Sequence, residues 1–442
     1  MADDSLTLWP TFFVYIPTAV ARARADDSAA TMAQRGLLAL ALALATQRGD
    51  AAYSFYPGYV PAGDDVGTLP PGATVAAAQA ACTANADCVA FTFDGPRGGP
   101  VPGTTYLKNA SGWAQFTENA TSTWSTYARA FGPCDLFAAG GTPCAAAHSV
   151  VRALYADYAG RLYQVNRSSD NTVLDIGVGL AGVADAAAQD AFCAGTSCTI
   201  SMIYDQSERL NHLAPAPAGG AVNRPDLGVN ASRFPFNIGG APAYAAYFEH
   251  LSGYRRDNTS GIAVGNEEAT YYMVTSGQHA NDGCCFDYGN AEVDNHDDGA
   301  GTMEAVYWGT CTIWGKGTGE GPWVMADLEN GLWAGNIRNN PGNAGLSYPF
   351  VTAMVKGGAN GFALKAGDAT MGKLQLMYDG PRPDGYQPMK KQGAIILGIG
   401  GDNSDSAIGT FFEGCITVGY TSDATDDAVQ ANIVAARYGS AQ

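Results

Sequence analysis

The chain reads as an all-β protein, an antiparallel sandwich preceded by one small α+β unit. Three observations point there. From Cys134 onward, short β-branched or aromatic runs alternate with Gly, Asn and Asp turn residues. Examples are Thr199–Tyr204, Thr270–Thr275, Thr302–Trp308, Val351–Lys356, Gly361–Lys365, Ala394–Ile399 and Phe411–Val418. Many short strands at turn-punctuated intervals pack face to face. Second, 56 Gly and 22 Tyr stand against only 24 Lys and Arg, a loop-rich, β-rich composition. Third, helical periodicity is confined to Ser149–Tyr158, Ala184–Phe192 and Ala424–Tyr438. There is no internal repeat.

At 442 residues the chain is long enough for two or three domains. Its formal net charge of −18 would repel a phosphate backbone, and no Lys/Arg cluster offsets it, so nucleic acid is excluded as a partner. Residues 1–52 read as a leader. Met32-Ala33-Gln34-Arg35 is followed by the small apolar run Gly36–Ala45, as in a secretory signal starting near residue 32. The run is too short for a membrane span; the competing reading is an uncleaved anchor. Ten cysteines, an even number, fall mostly in close pairs. Cys82–Cys88, Cys134–Cys144 and Cys193–Cys198 read as disulfides of a secreted protein. Five glycosylation sequons, at Asn109, Asn119, Asn166, Asn230 and Asn258, fit the same extracellular location. No Cys-x-x-Cys motif or His cluster asks for zinc, and no cofactor is expected.

Residues 53–131 form the small unit. Ala76–Cys82 predicts a helix, and Cys88–Phe93, Thr105–Lys108 and Trp124–Arg129 predict strands. A helix cysteine bridged to a strand cysteine in a unit of this size resembles the PAN/apple fold, an extracellular adhesive module. A disulfide-stapled spacer without a ligand is the alternative. Phe131-Gly132-Pro133 marks the boundary, and residues 132–442 are assigned to the sandwich.

Two motifs mislead. Gly177-Val178-Gly179-Leu180-Ala181-Gly182 matches a dinucleotide fingerprint, with Leu174-Asp175-Ile176 as its strand and Asp205 as the ribose acid. Cys193 and Cys198 inside the supposed crossover oppose that reading, as does the lack of further strand–helix alternation. Asp294–Gly299 superficially matches a calcium loop, but His296 occupies a ligand slot and residue 305 is Ala. A solvated turn is the better reading.

The candidate chemistry lies in carboxylates. In Gly321–Gly335, GPWVMADLENGLWAG, alternation sets Trp323, Met325, Asp327 and Glu329 on one face and Val324, Ala326 and Leu328 on the other. Ala394–Gly401 is a buried strand ending in two glycines, which aim Asp402 out of its end. Glu329 and Asp402 are then two acids on separate strands, the pair that glycoside hydrolysis uses. Glu304 and Asp287 are the rival acids.

Seven blocks occur in one order: CDLFAAGGTPCAAAHS, IYDQSERLNHL, CCFDYGNAE, GTMEAVYWG, WVMADLENGLW, AIILGIGGDNS and FFEGCITVGYTSDAT. Together, from Cys134 to Tyr438, they resemble the catalytic domain of the fungal α-L-arabinofuranosidases of glycoside hydrolase family 54. The resemblance implies a concanavalin-like β-sandwich, or jelly roll. It implies a retaining exo-hydrolase that removes terminal α-L-arabinofuranosyl groups from arabinoxylan and arabinan. The expected partner is an arabinose-containing plant or algal polysaccharide, and the chain is expected to be a monomer. Glu329 falls at the family's nucleophile and Asp402 at its acid/base. Asp327, Asn330 and Gly401 match positions that contact the sugar, and Trp314 matches an aromatic at the subsite wall. Donors such as Asn330 are expected to stabilise the Glu329 carboxylate.

Adjacent Cys284-Cys285 are closer than the Cα atoms of ordinary disulfides, so chemistry alone leaves independent thiols or longer bridges open. The resemblance implies that they bridge to each other and pack against the sugar. Cys311 and Cys415 depart from the family pattern: a fifth bridge, Cys311–Cys415, and two buried thiols are the two readings. The fungal enzymes also carry a C-terminal arabinose-binding β-trefoil, whereas this chain stops at Gln442. The PAN/apple-like unit is the candidate to hold polymeric substrate in its place. Two other functions compete: a catalytically silent carbohydrate-binding protein, and the same fold acting on another exo-sugar.

Overall fold

The computed structural model describes residues 53–440, apart from 86, 100, 110–111, 113–114, 120, 130 and 180–181. The leader read in residues 1–52 lies outside the described residues. Among these, no helix is long and apolar enough to cross a membrane.

In the first unit Thr74 caps the helix Val75–Ala84 by accepting from the Ala77 N–H. The helix packs on a six-stranded antiparallel sheet through Ala78 and Cys82, which join Phe91, Phe93, Leu107 and Tyr127 in one apolar cluster. Cys82 is bonded to Cys88, which stands just before the strand Ala90–Asp94.

The rest is built on two large antiparallel sheets. One runs in the order Ala214–Pro215, Tyr254–Arg256, Ala394–Leu397, Asp287–Ala291, Glu304–Gly309, Trp323–Asp327 and Leu332–Trp333. The other runs Phe234–Ile238, Ala241–Phe248, Gly409–Thr417, Ala269–Thr275, Val351–Gly357, Phe362–Asp368 and Gln375–Gly380, with Cys144–Ser149 also paired to Gly409–Thr417. Alternation sorts each strand of the first sheet into two faces. Tyr288, Val306, Trp308, Val324 and Ala326 face the second sheet and share its main core; Ala305, Tyr307, Trp323 and Met325 face away. The faces foreseen for the Trp323 strand are therefore the ones observed, and the apolar one is the sandwich core.

One expected helix is absent. Ser149–Tyr158 is not helical; the helix lies earlier, at Pro133–Ala139. There Pro133 opens the first turn and Asp135 accepts from the Gly132 N–H, a complete start signal. Cys144–Ser149 is drawn into the sheet instead. Ser149 Oγ turns the chain by accepting from the Val151 and Arg152 N–H groups, and Arg152 is held by Glu413. The glycine-rich decoy also resolves: Arg161–Arg167, Val173–Gly177 and Cys198–Ile203 form an antiparallel sheet, where a dinucleotide fold needs parallel strands. Cys193 is bonded to Cys198 inside the supposed crossover.

Candidate active site

The site forms on the outward face of the first sheet, where Asp287, Ala305 and Asp327 lie on three adjacent strands. The strand Trp323–Asp327 ends at Asp327, so Glu329 is not on the strand as its alternation suggested. Glu329 and Asn330 instead form the tip of a two-residue hairpin to Leu332–Trp333, with φ of 63° and 55°. Two successive positive φ values define the turn that suits the right-handed twist of a hairpin. For Glu this conformation costs about 1 kcal/mol or more, and such strain persists where surroundings enforce it. Here they do: the Glu329 N–H donates to Asp327 Oδ1 at 3.0 Å, and Tyr386 Oη donates to the Asn330 carbonyl at 2.9 Å. Asn330 Nδ2 donates to Asp297 Oδ1 at 2.9 Å. Its amide therefore anchors the hairpin tip and does not serve Glu329, contrary to expectation.

Asp402 sits on the loop that follows the Ala394–Leu397 strand. Its Oδ1 accepts from the Ser404 N–H at 3.0 Å and from Ser404 Oγ at 2.6 Å. This loop and the hairpin meet at Gly401. A Cβ built there would stand 2.9 Å from Glu329 Oε2 and 2.2 Å from Glu292 Oε2, so only glycine admits both acids. Arg255, buried, donates Nη1 to the Gly401 carbonyl at 2.7 Å and Nη2 to the Glu292 carbonyl, joining the two segments.

Cys284 and Cys285 are bonded to each other. They lie between the two loops: the Cys285 N–H donates to the Ser404 carbonyl, and Cys285 Sγ is 3.3 Å from Asp327 Oδ2. The bridge thus forms part of the floor. Trp314 is 37% exposed, on the stretch leaving the Glu304–Gly309 strand.

The fifth bridge does not form. Cys311 lies in the small cluster with Cys285, Tyr307 and Trp323, whereas Cys415 lies in the main core, 3.3 Å from Cys134 Sγ. Cys415 is on a strand of the second sheet, beside Tyr272, whereas Cys311 follows a strand of the first, so the two thiols are apart. The expected Cys82–Cys88, Cys134–Cys144 and Cys193–Cys198 bonds are all present.

Of the rival acids, Glu304 is excluded from the site. It shares the inter-sheet face of Val306 and Trp308, fully buried between Lys391 Nζ at 2.7 Å and Arg382 Nη2 at 2.9 Å. Burial pushes its carboxyl up, but the two cations outweigh it and hold it below the usual carboxylate range. Asp287 does belong to the site. It is fully buried, neither oxygen meets a donor, and the Asp327 carboxyl faces it. Burial, then Asp327, push Asp287 well up, so it holds a proton that it shares with Asp327. Burial pushes Asp327 up to about 7. Burial, then Asp327, Glu292, Asp297 and Asp402, push Glu329 up to about 10. A carboxyl cluster of this density retains protons near neutral pH.

Sequence reasoning missed Glu292 and Arg255. Glu292 closes the CCFDYGNAE block, but nothing local marks it; only the strand order brings it under Glu329.

Comparisons with known proteins match the same part of the chain. The family model "Alpha-L-arabinofuranosidase B, catalytic" matches residues 133–439. The probable α-L-arabinofuranosidase B of Aspergillus flavus is 54% identical over 318 residues, covering 70% of this chain and 63% of the relative. Two solved structures each match at 50% identity with a TM-score of 0.69, over 70% of this chain and 66% of theirs. One is a family 54 α-L-arabinofuranosidase soaked with a cyclic sulfate inhibitor, the other an arabinofuranosidase complexed with arabinofuranosyl-α-1,2-xylobiose. The chain thus spans just under two thirds of the length of the relatives it matches. With a hairpin carboxylate, a facing loop carboxylate and a disulfide floor all inside the matched residues, the chain belongs to the α-L-arabinofuranosidase B catalytic family.

Proposed function

We propose that this chain is a secreted, retaining, exo-acting α-L-arabinofuranosidase that releases terminal arabinofuranosyl groups from arabinose-containing plant or algal polysaccharide. The observation that carries the reading is the meeting of the Glu329 hairpin and the Asp402 loop at Gly401. Glu329 attacks the anomeric carbon while Asp402 protonates the glycosidic oxygen, leaving an arabinofuranosyl ester on Glu329. Asp402, now a carboxylate, takes a proton from water as that water attacks the ester, and the anomeric configuration is restored. Asp327, Asn330, Gly401, Trp314 and the Cys284–Cys285 bridge are the groups assigned to the sugar. The names of the relatives support the sugar; the paired cysteines support an extracellular location.

The test is turnover by the purified chain of aryl α-L-arabinofuranoside, aryl β-D-xyloside and aryl galactofuranoside. The arabinofuranoside is expected to be cleaved with the α-configured sugar as first product by NMR. Cleavage of only another glycoside would reassign the sugar, and turnover of none would end the enzyme reading.

A further inference from the structure

Glu292 follows the Asp287–Ala291 strand and is fully buried. Thr302 Oγ1 donates to its Oε1, and Arg255 holds its carbonyl. Its Oε2 meets no donor and faces the Glu329 carboxyl across the space left by Gly401, within hydrogen-bonding reach. The nearest cation, Arg255, favours charge on Glu292 but hydrogen-bonds neither carboxyl of the pair. Arg255 directs its guanidinium at the carbonyls of Gly401 and Glu292 and at Asp257. The other groups facing the pair are Asp327 from the sheet, with Asp287 behind it, Asp297 and Asp402 from loops, and Tyr386. All are acidic or neutral.

Two carboxyls so close and so buried cannot both ionise, so the pair keeps one proton. While that proton is on Glu329, its oxygen cannot attack. Glu292 is the less exposed of the two, at 0% against 8%. An electron-poor anomeric carbon approaching Glu329 favours charge on Glu329 and sends the proton inward.

We propose that Glu292 is the positioning residue of Glu329: it takes the shared proton when substrate binds and returns it as a hydrogen bond to the Glu329 carboxylate. The inference rests on Glu329 being the nucleophile. The proton never leaves the pair. It moves from Glu329 to Glu292 Oε2, stays there while the ester forms, and moves back once hydrolysis has freed Glu329.

The test isolates the nucleophile from the acid/base by using an arabinofuranose-configured cyclic sulfate, whose leaving group needs no protonation. The inactivation rate of the full chain is measured against pH for wild type, Glu292→Gln and Glu292→Met, with peptide mapping of the label. Gln still donates to Glu329 and is expected to keep the wild-type pH midpoint and a rate within about tenfold. Met fills the space without a donor, and its midpoint is expected to move up by about one pH unit or more, because the buried Glu329 carboxylate has lost its hydrogen bond. A Met midpoint that stays or moves down would make Glu292 merely a repelling charge and overturn the proposal. So would a Gln variant as inert as Glu329→Gln, an outcome readable even where the Met variant does not fold. A label on a residue other than Glu329 would instead overturn the nucleophile assignment itself.

Discussion

A single methyl group at position 401 is expected to disable the site while leaving the fold standing. In Gly401→Ala the added Cβ would stand 2.9 Å from Glu329 Oε2, 2.2 Å from Glu292 Oε2 and 3.1 Å from Met303 Sδ. Ordinary contact begins near 3.4 Å, so Glu329 must retreat by about 0.5 Å and Glu292 by about 1.2 Å. All three neighbours are side chains, so the backbone need not move, and φ at Gly401 is not in the left-handed region. The strain is that of one overpacked methylene, about 1–3 kcal/mol of stability. A misplacement of about 1 Å costs roughly 100-fold in rate, so the half-sized retreat of Glu329 is expected to cost on the order of tenfold. That is about 1.4 kcal/mol of transition-state stabilisation. The assay is kcat/KM on an aryl α-L-arabinofuranoside beside a thermal melt of the same sample. A folded Gly401→Ala with kcat/KM within about threefold of wild type would refute the meeting of hairpin and loop described above.

Three further outcomes rest on groups elsewhere in the fold. Burial, then Asp405, raise Asp226 to about 7, and its Oδ2 has no donor. A carboxyl whose folded pKa is raised favours the fold while protonated and loses that advantage as pH rises through it. Asp226→Asn should therefore match wild type in urea unfolding near pH 4 but exceed it by about 1–2 kcal/mol near pH 8; equal stability at both would contradict the shift. Glu304→Gln should cost about 3–5 kcal/mol by leaving Lys391 and Arg382 buried without their carboxylate, yet should not mimic loss of the nucleophile in the fraction that stays folded. Thiol titration of the denatured, unreduced chain should find two free thiols, Cys311 and Cys415, and ten after reduction; none before reduction would restore the fifth bridge.

Much of this was legible because strand alternation is a local signal. Val324, Ala326 and Leu328 had to face a core whatever the fold, and the core is where they lie. Glu329 shows the limit: alternation set it on the strand beside Asp327, and nothing in the sequence indicated that it takes the left-handed conformation. The Ser149–Tyr158 helix was misread because its periodicity is genuine while its hydrogen bonds are claimed by other elements, Arg152 by Glu413 and Ser149 Oγ by its own turn. Asp287 was seen only as a rival acid and Glu292 not as a candidate, because their roles arise from strands meeting across the sheet. Cys311 and Cys415 were likewise separated by a sheet whose order no local pattern encodes.

The double-displacement reading stands or falls on the ester at Glu329. In Asp402→Asn an aryl arabinofuranoside with a good leaving group should still glycosylate the enzyme, because that step no longer needs an acid, while hydrolysis slows for want of a base. Rapid quenching, digestion and mass spectrometry should then find one anhydropentose on the peptide containing Glu329. An adduct on Asp327, Glu292 or any other carboxyl, or turnover of Asp402→Asn with no adduct at any time point, would contradict it.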